Sequence, residues 1–389
     1  MKESTKKYVS LALVPAALVF AALAAEVALR IVAPDEYYVW PPNLSMTFAP
    51  DPEAMPGITG ESHFVINADG LRGRPMSPED GYRILAIGGS TTECLYLDET
   101  EAWPHLLETD LAADFQPAPI WVGNAGKSGH TSEHHVLQAR ELLPQYPHMD
   151  LALVLVGTND MMYVGQQTKY QPLTRPELAQ AFAVGPGGWQ ELDAGYPWYK
   201  RTEVWRTIRK ARENLLTDRG DQLVQDQVGA VFVKMREKRQ NAAGYLHEFP
   251  DLTEALRAYK GNLNAIVDSA ERNGTKAVLM TQPSLWADNL PDDAARLLWM
   301  GRNAPYMTED AQTYYSAGTL AKAMAAYNDA LLEVCSERNL SCLDLAAAVP
   351  KEATYFYDDV HFTEAGSRLV AAAVAGHVRL LQSSREPSK

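Results

Sequence analysis

Short apolar runs separated by helical patterns constrain the fold of this chain most strongly. Leu151 to Val156 is an uninterrupted apolar run, which is typical of a strand covered on both faces. Arg83 to Ile87 and Ile120 to Val122 precede it, and Lys276 to Met280 and Ser341 to Leu345 follow it as further strand candidates. Strands that alternate with helices predict an α/β fold, with a parallel sheet and helices on both sides.

The segments between these strands have helical spacing. Helices are predicted over about Trp103–Leu111, Ser132–Leu143, Leu252–Arg272, Ala317–Arg338 and Glu364–Leu381. Residues 34 to 80 are rich in Pro, Gly and Asp, which predicts an extended, irregular lead-in to a domain over 81 to 385. Residues 161 to 250 do not fit the alternation and are interpreted as a helical insertion in that domain.

The N-terminus has the features of an export segment. Lys2, Lys6 and Lys7 precede an apolar run from Tyr8 to Ala25. A helix of this length is roughly 27 Å long, which suits the hydrocarbon core of a bilayer. Residues 1 to 33 are predicted to be an uncleaved transmembrane helix with its lysines in the cytoplasm and the catalytic domain in the periplasm or outside the cell. A cleaved signal peptide, and hence a secreted protein, is the alternative.

Charge and cysteine content narrow the classes of function. The formal net charge of −14 argues against a nucleic-acid partner, because phosphate contacts need clustered Lys and Arg. The sequence has no Cys-x-x-Cys pair and no Cys/His cluster with zinc spacing, so neither a metal nor another cofactor is predicted. Cys335 and Cys342 could form a disulfide in an oxidising compartment, but we favour two buried thiols, with Cys94 as a lone thiol.

Four polar segments carry the candidate chemistry. Three of them, Gly88 to Thr92, Asn124 to Ser132 and Gly157 to Asp160, directly follow predicted strands, and Asp358 to His361 lies in a late loop. Loops after parallel strands share the sheet edge where open α/β proteins place their sites. The first segment is neither a Gly-x-Ser-x-Gly elbow nor a Walker A loop, since Thr92 replaces the second glycine and no lysine follows.

Together these segments resemble the four blocks of the SGNH hydrolases, the GDSL-like family named for a Ser, a Gly, an Asn and a His. Ser90 matches the first block, Gly129 the second and Asn159 the third, and Asp358 and His361 match the closing Asp-x-x-His. The block order is kept. The resemblance implies a three-layer α/β/α sandwich of the flavodoxin-like type and an activity that hydrolyses carboxylic esters without a metal.

The matched residues imply definite roles. Ser90 is the candidate nucleophile and His361 its base, because a neutral imidazole accepts and returns a proton near pH 7. Asp358 is expected to orient the imidazole, with Asp359 as the alternative partner. The backbone N–H groups of Ser90 and Gly129 and the side-chain amide of Asn159 are the expected oxyanion donors.

Other features leave alternatives open. The family often has Gly-Asp-Ser where this chain has Gly-Gly-Ser, which leaves the hydrogen bonding of the first loop undecided. Aromatic residues after the fourth strand could line a sugar-binding or acyl-binding cleft, although packing is favoured for each; they are Trp286, Trp299 and Tyr306. Four histidines are interpreted as surface or structural; they are His105, His130, His134 and His135.

An exported, anchored esterase would meet acylated glycans and lipids. The first expected substrate is therefore an O-acetyl group on an extracellular polysaccharide, and lipid esters are a further possibility. An O-acyltransferase that uses the same site on an exported polysaccharide is one alternative. A non-catalytic, membrane-anchored scaffold on an SGNH fold is the alternative from a different class.

Overall fold

A computed structural model of the protein describes residues 3–32, 37–174, 178, 182–184, 197–205, 207–208, 222–224, 228–304 and 312–383. The chain divides into two compact units. One unit comprises residues 1–38 and 174–220, and the other comprises residues 39–173 and 221–389. The candidate site residues all belong to the second unit.

The strands of the described residues are β1 (Tyr37–Tyr38), β2 (Ser45–Phe48), β3 (Ser62–Val65), β4 (Tyr82–Gly88), β5 (Ile120–Gly126), β6 (Leu151–Leu155), β7 (Ala183–Val184), β8 (Gln222–Val224), β9 (Gly244–Leu246), β10 (Lys276–Met280) and β11 (Thr313–Tyr315). The α-helices are α1 (Glu3–Val32), α2 (Ser90–Glu93), α3 (Trp103–Leu111), α4 (Ser132–Leu137), α5 (Thr158–Gln167), α6 (Val228–Gln240), α7 (Thr253–Arg272), α8 (Asp292–Ala295), α9 (Ala317–Glu337), α10 (Leu345–Ala348) and α11 (Glu364–Ser383).

The second unit is built on a parallel sheet with the strand order β10-β6-β4-β5. Ile84 of β4 pairs with Val122 of β5 on one side and Leu151 of β6 on the other. The first strand of the chain to enter this sheet therefore lies between the second and the third, which is the flavodoxin-like order. The predicted parallel α/β sheet is confirmed, and the order reverses beside β4, where such folds place their sites.

Two groups of helices pack on this sheet. Helix α3 packs against α11 and β5, whereas α7 packs against α4, α9 and β10. Trp103 at the start of α3 is fully buried, and its indole Nε1 donates to the carbonyl of Thr91 at 3.1 Å. This bond joins the helix layer to the turn that follows β4, so the packing of α3 also supports the candidate site.

Two predicted elements differ from the structure. Ser341 to Leu345 is not a strand, although Leu343 forms a single parallel bridge with Met280. Asp344 ends the extended segment because its carboxylate accepts from the backbone N–H of Ala347 at 3.3 Å and caps α10. Helix α4 is shorter than predicted and continues as a π-helical segment over Gln138–Leu142.

The stretch from residue 39 to 80 packs within the second unit, against the chain around α2 and β5. Strands β2 and β3 are antiparallel, and their Phe48 and Phe64 form a buried cluster with Ile66. Arg72 is 2% exposed, and its guanidinium donates to the carbonyls of Glu93, Cys94 and Leu97 at 2.6–2.7 Å. This stretch thereby ties down the chain that follows α2.

Val39 and Trp40 contact the loop that follows β5. The indole Nε1 of Trp40 donates to the carbonyl of Gly126 at 3.2 Å. In return, the Lys127 ammonium donates to the carbonyl of Val39 at 2.8 Å and lies 4.5 Å from the centre of the Trp40 ring. These two bonds and the cation–π contact form a clamp between the two chain segments.

The first unit contains α1 and the short antiparallel pair β1–β7. Glu26 of α1 accepts from Arg30 Nε at 2.8 Å and from the backbone N–H of Val204 at 3.1 Å. Over the part of the chain that the structure describes, no helix has both the length and the apolar character needed to cross a membrane. Much of the predicted insertion over 161 to 250 lies outside the described residues.

The cysteines correct one expectation. Cys335 of α9 and Cys342 form a disulfide with a Cα–Cα distance of 6.2 Å, so the favoured pair of buried thiols is wrong. The two residues are separated by 7 positions, and the chain turns after α9 at Asn339, whose φ is 50°, which brings Cys342 back to Cys335. Cys94 is buried and forms no disulfide, so it is the lone thiol that the sequence predicts.

Candidate active site

Ser90 is the first residue of α2, two positions after the end of β4, at the carboxyl edge of the parallel sheet. The two preceding glycines allow close approach from both sides. A Cβ on Gly88 would lie 2.1 Å from Thr92 Oγ1, and a Cβ on Gly89 would lie 2.7 Å from Asn159 Nδ2. A side chain at position 89 would push the Asn159 amide away, which gives the Gly-Gly-Ser sequence a physical reason.

Ser90, His361 and Asp358 form a continuous chain of hydrogen bonds. His361 Nε2 lies 2.7 Å from Ser90 Oγ, and His361 Nδ1 lies 2.7 Å from Asp358 Oδ2. A carboxylate can only accept, so Nδ1 carries the proton and Nε2 of the neutral imidazole accepts from the Ser90 hydroxyl. This is the arrangement of a nucleophile, its base and the group that orients the base.

The environment of Asp358 and His361 favours charge separation between them. Asp358 is fully buried, but its carboxylate accepts from the backbone N–H groups of Val360 at 3.0 Å and His361 at 2.9 Å. Burial alone would raise the pKa of Asp358, yet the charge and hydrogen bonds of His361 hold that pKa below its usual value. Burial likewise opposes protonation of His361, but the charge of Asp358 prevails and raises its pKa.

Asp359, the alternative partner of His361, is engaged elsewhere. It is fully buried and accepts from the indole of Trp286 at 2.7 Å. Its second oxygen accepts from the backbone N–H groups of Trp299 at 2.7 Å and Met300 at 3.0 Å. The adjacent aspartates therefore divide their contacts, and Asp358 is the one bonded to the imidazole.

The three expected oxyanion donors line one cavity with His361. Gly129 follows β5 and has a φ of 80°, a conformation that favours glycine. Asn159 lies in the first turn of α5, and its Nδ2 donates to the carbonyl of His130 at 2.8 Å. This bond fixes the amide through one proton and leaves the second for an oxyanion near Ser90.

Two carboxylates that were not predicted as site residues, the buried Glu93 and the half-buried Asp160, hold these loops in place. Glu93 accepts from the backbone N–H of Ser128 at 3.1 Å and from its hydroxyl, and burial raises the pKa of Glu93 to about 6. Asp160 accepts from the backbone N–H of Ser132 at 3.0 Å, and burial raises the pKa of Asp160 to about 7. Glu93 lies three positions after Ser90, and Asp160 lies one position after Asn159. This closeness to predicted site residues is the sequence signal that could have identified them.

The sequence match to known families now decides the relationship. The model of the GDSL-like lipase/acylhydrolase family matches residues 86–369, a range that contains Ser90, Gly129, Asn159, Asp358 and His361. The chain belongs to the GDSL-like lipase/acylhydrolase family. It is a serine hydrolase of the SGNH type that acts on esters, and the resemblance stated from the sequence is confirmed.

Solved structures similar to this acylhydrolase include Axe2, an acetylxylan esterase from Geobacillus stearothermophilus, with 16% identity, 78% of this chain and 96% of that chain covered, and a TM-score of 0.40. An aryl esterase from M. smegmatis has 13% identity, coverage of 77% and 100%, and a TM-score of 0.41. LAE5, an alpha/beta hydrolase from the metagenome of Lake Arreo, has 15% identity, coverage of 78% and 97%, and a TM-score of 0.40. No curated protein matches the chain significantly.

The acylhydrolase has a cavity of about 490 Å³ at Ser90 and His361. Aromatic and polar side chains share its wall. In addition to the residues already placed there, the lining consists of Glu93, Leu95, Tyr96, Ser128, Thr131, Met162, Tyr163, Gln166, Phe232, Trp299, Met300 and Tyr357. Trp299 is thus a cleft residue, whereas Trp286 is fully buried and Tyr306 lies outside the described residues.

Three of the other predicted histidines follow Gly129 in the chain, and the backbone carbonyl of His130 holds the Asn159 amide. His130, His134 and His135 are buried, and the rings of His130 and His134 stack with centroids 4.7 Å apart, which fits the structural role expected of them. Within the described ranges, no group of three or more His, Cys, Asp or Glu side chains is arranged to hold a metal ion.

Replacing Asn159 by alanine is expected to lower kcat for p-nitrophenyl acetate by about 10²–10³-fold, with a much smaller change in KM. We expect the amide to donate to charge that develops in the transition state, so that its loss raises the barrier more than it weakens substrate binding. Steady-state kinetics measure this split. Gln166→Ala is the matched control, because this amide lines the same cavity from the same helix. A change in KM alone for Asn159→Ala would assign the residue to substrate binding.

Proposed function

We propose that this acylhydrolase cleaves carboxylic esters through an acyl-Ser90 intermediate, with His361 as general base and acid and Asp358 as its orienting carboxylate. The observation that carries this proposal is the unbroken hydrogen-bond chain from Ser90 Oγ through both nitrogens of His361 to Asp358. A serine hydroxyl is a weak nucleophile until a base takes its proton, and the imidazole is within bonding distance of that proton.

The reaction proceeds in two halves. The Ser90 oxygen attacks the ester carbonyl while its proton passes to His361 Nε2, and the imidazolium then returns that proton to the departing alcohol. A water molecule repeats the sequence on the acyl-enzyme: His361 takes its proton, its oxygen attacks the acyl carbon, and the proton goes back to Ser90. In each half, the backbone N–H groups of Ser90 and Gly129 and the Asn159 amide stabilise the oxyanion.

A fluorophosphonate probe tests this function directly, because it phosphonylates only an activated serine. The wild-type protein is expected to label within minutes, and Ser90→Ala and His361→Ala are expected not to label. Circular dichroism and thermal denaturation of the variants establish that they are folded. Folded wild-type protein that does not label would overturn the proposal and favour the non-catalytic scaffold.

We further propose that the alcohol part of the substrate is a sugar and the acyl part a short group such as acetyl. The cavity supports this, because aromatic side chains such as Tyr96, Phe232 and Trp299 share its wall with polar Ser128 and Gln166. A sugar ring packs its C–H faces on aromatic rings, and its hydroxyls need hydrogen-bonding partners. A long acyl chain would instead favour an uninterrupted apolar lining.

An acyl-length series tests the substrate class. Activity is expected to be highest on p-nitrophenyl acetate and to fall at least tenfold by the octanoate, with acetate released from an acetylated polysaccharide. Higher activity on the octanoate would point to a lipid ester. Assays with a free oligosaccharide present separate hydrolysis from acyl transfer, since a transferase would yield an acetylated oligosaccharide detectable by mass spectrometry.

We also propose that the protein is exported and held at the membrane by its N-terminus. The basic residues and apolar run of the first 25 or so positions support this, and so does the Cys335–Cys342 disulfide, because such bonds persist in oxidising compartments. Fractionation of cells, together with protease accessibility of the C-terminal domain in spheroplasts, tests both parts. A protease-resistant domain in intact spheroplasts would contradict export.

A further inference from the structure

Trp299 connects the substrate cavity to the candidate triad. Its indole Nε1 donates to Asp358 Oδ2 at 2.9 Å, and that oxygen also accepts from His361 Nδ1 at 2.7 Å. The other donors to Asp358 are backbone groups of Val360 and His361, on the same loop. The indole bond comes from a segment 59 residues earlier in the chain, so it fixes the carboxylate relative to the rest of the site.

The position of Trp299 is itself tightly set. Its backbone N–H donates to Asp359 at 2.7 Å, and its side chain donates to Asp358. Two consecutive aspartates thus hold both ends of one residue. The ring also packs edge-on against Phe232 of α6, with centroids 5.6 Å apart. Trp299 is thus held through its backbone N–H, its indole N–H and its ring, and it can in turn fix the orientation of the Asp358 carboxylate.

We propose that Trp299 is the positioning residue that fixes the Asp358 carboxylate for His361 and moderates its pull on the imidazole proton. This inference rests on the proposed acyl-serine mechanism. A hydrogen bond to an ionised acceptor is short and strong, so the indole holds the carboxylate in one plane and withdraws charge from Oδ2. The same ring lines the cavity, and it thereby places the triad at a fixed distance from the bound substrate.

The charged surroundings of the imidazole define what a change at Trp299 does. The charged groups that act on His361 are Asp358, Glu93 and Asp359. The Tyr357 ring stacks on the imidazole with ring centroids 5.5 Å apart. On α6, Arg236 lies near both aspartates and Arg239 near Asp359. When the indole donor is removed, more of the negative charge of Asp358 is available to His361. Protonated His361 is then stabilised, so its pKa is expected to rise and activity to be lost at a higher pH on the acidic side.

The variant Trp299→Phe keeps an aromatic ring and removes the donor. It is expected to lower kcat by about 10–100-fold, the effect of losing one hydrogen bond to a charged group, and to move the acidic limb of kcat/KM up by about 0.5–1 pH unit. Trp286→Phe is the matched control, because it removes an indole donor from Asp359 instead. That control is expected to move the acidic limb far less, because Asp359 acts on His361 only through its charge and does not bond to the imidazole.

A readout that does not need turnover separates this inference from the proposed function. NMR titration of ¹³C-labelled histidine, with the His361 signal assigned by its loss in His361→Gln, is expected to show the same upward shift in Trp299→Phe alone. Trp299→Phe could raise the pKa of His361 although the wild-type protein neither labels with the probe nor hydrolyses esters. That result would leave the Trp299–Asp358 link intact and overturn the acyl-serine mechanism. An unshifted His361, equal shifts in both tryptophan variants, or a change confined to KM would overturn the role of Trp299.

Discussion

Ser90→Ala is expected to reduce kcat for p-nitrophenyl acetate by about 10⁶-fold, the scale of nucleophile loss in serine hydrolases. The methyl group of alanine can neither attack the carbonyl nor form the acyl-enzyme. His361 remains beside the cavity and can at most activate water, for which no fixed position replaces Ser90 Oγ. The residual rate therefore reports what the oxyanion donors and substrate binding achieve without the nucleophile.

The neighbouring hydroxyl provides the control for this variant. Thr91 is buried, and its Oγ1 donates to Gln282 Oε1 at 3.2 Å, so this hydroxyl is bonded to Gln282 and not to His361. Thr91→Val removes that hydroxyl with little change in shape and is expected to keep most of kcat. Burst kinetics with p-nitrophenyl acetate follow the acyl-enzyme in each protein. If Ser90→Ala kept even a hundredth of the wild-type rate, another nucleophile or direct attack by water would have to be assumed.

Asp358→Asn is expected to lower kcat by about 10⁴-fold near neutral pH. The carboxylate accepts the Nδ1 proton of His361, and this bond places the lone pair on Nε2, next to Ser90 Oγ. An amide can instead donate to Nδ1, which would move the imidazole proton to Nε2 and leave nothing there to accept the serine proton. The side chains of Asn and Asp have the same size, so the loss of kcat measures how far Asp358 fixes the tautomer of His361.

Asp359→Asn makes the same chemical change one residue later. Asp359 holds Trp286, Trp299 and Met300, so its replacement is expected to lower the melting temperature, with a loss of kcat at least tenfold smaller than that of Asp358→Asn. Steady-state kinetics and thermal denaturation of the two variants give both quantities. Equal losses of kcat at the two positions would show that general disruption of this loop, and not its bond to His361, limits the rate.

Much of the central fold is predictable because its signals are local. β10 spans the predicted Lys276–Met280, and β6 ends one residue short of its prediction, since a strand buried on both faces must be apolar throughout. Ser341 to Leu345 is less apolar, since it contains Ser341 and Asp344, and it is not a strand. Its one bridge at Leu343 is followed at once by a helix cap at Asp344, a residue type that favours N-caps over strands.

The candidate site is likewise predictable from the sequence only where its signals are local. Ser90, Asn159 and His361 stand in short motifs with fixed spacing, and a linear sequence preserves that information. The bond from Trp299 to Asp358 joins positions 59 residues apart, and no local sequence pattern predicts it. The disulfide shows a further limit: whether Cys335 and Cys342 pair depends on how α9 ends, and their spacing alone allows either state.

The contacts of Val39 and Trp40 determine where the protein can be shortened for expression. These residues precede β2, the first strand of the small sheet in the second unit. A truncation placed just before β2 would leave every strand of that sheet in the protein. It would remove the groups bonded to Gly126 and Lys127, two positions before the loop reaches Gly129. A recombinant enzyme that starts at or before residue 38 keeps this anchorage, and one that starts at residue 45 is expected to fold with a loosened oxyanion hole.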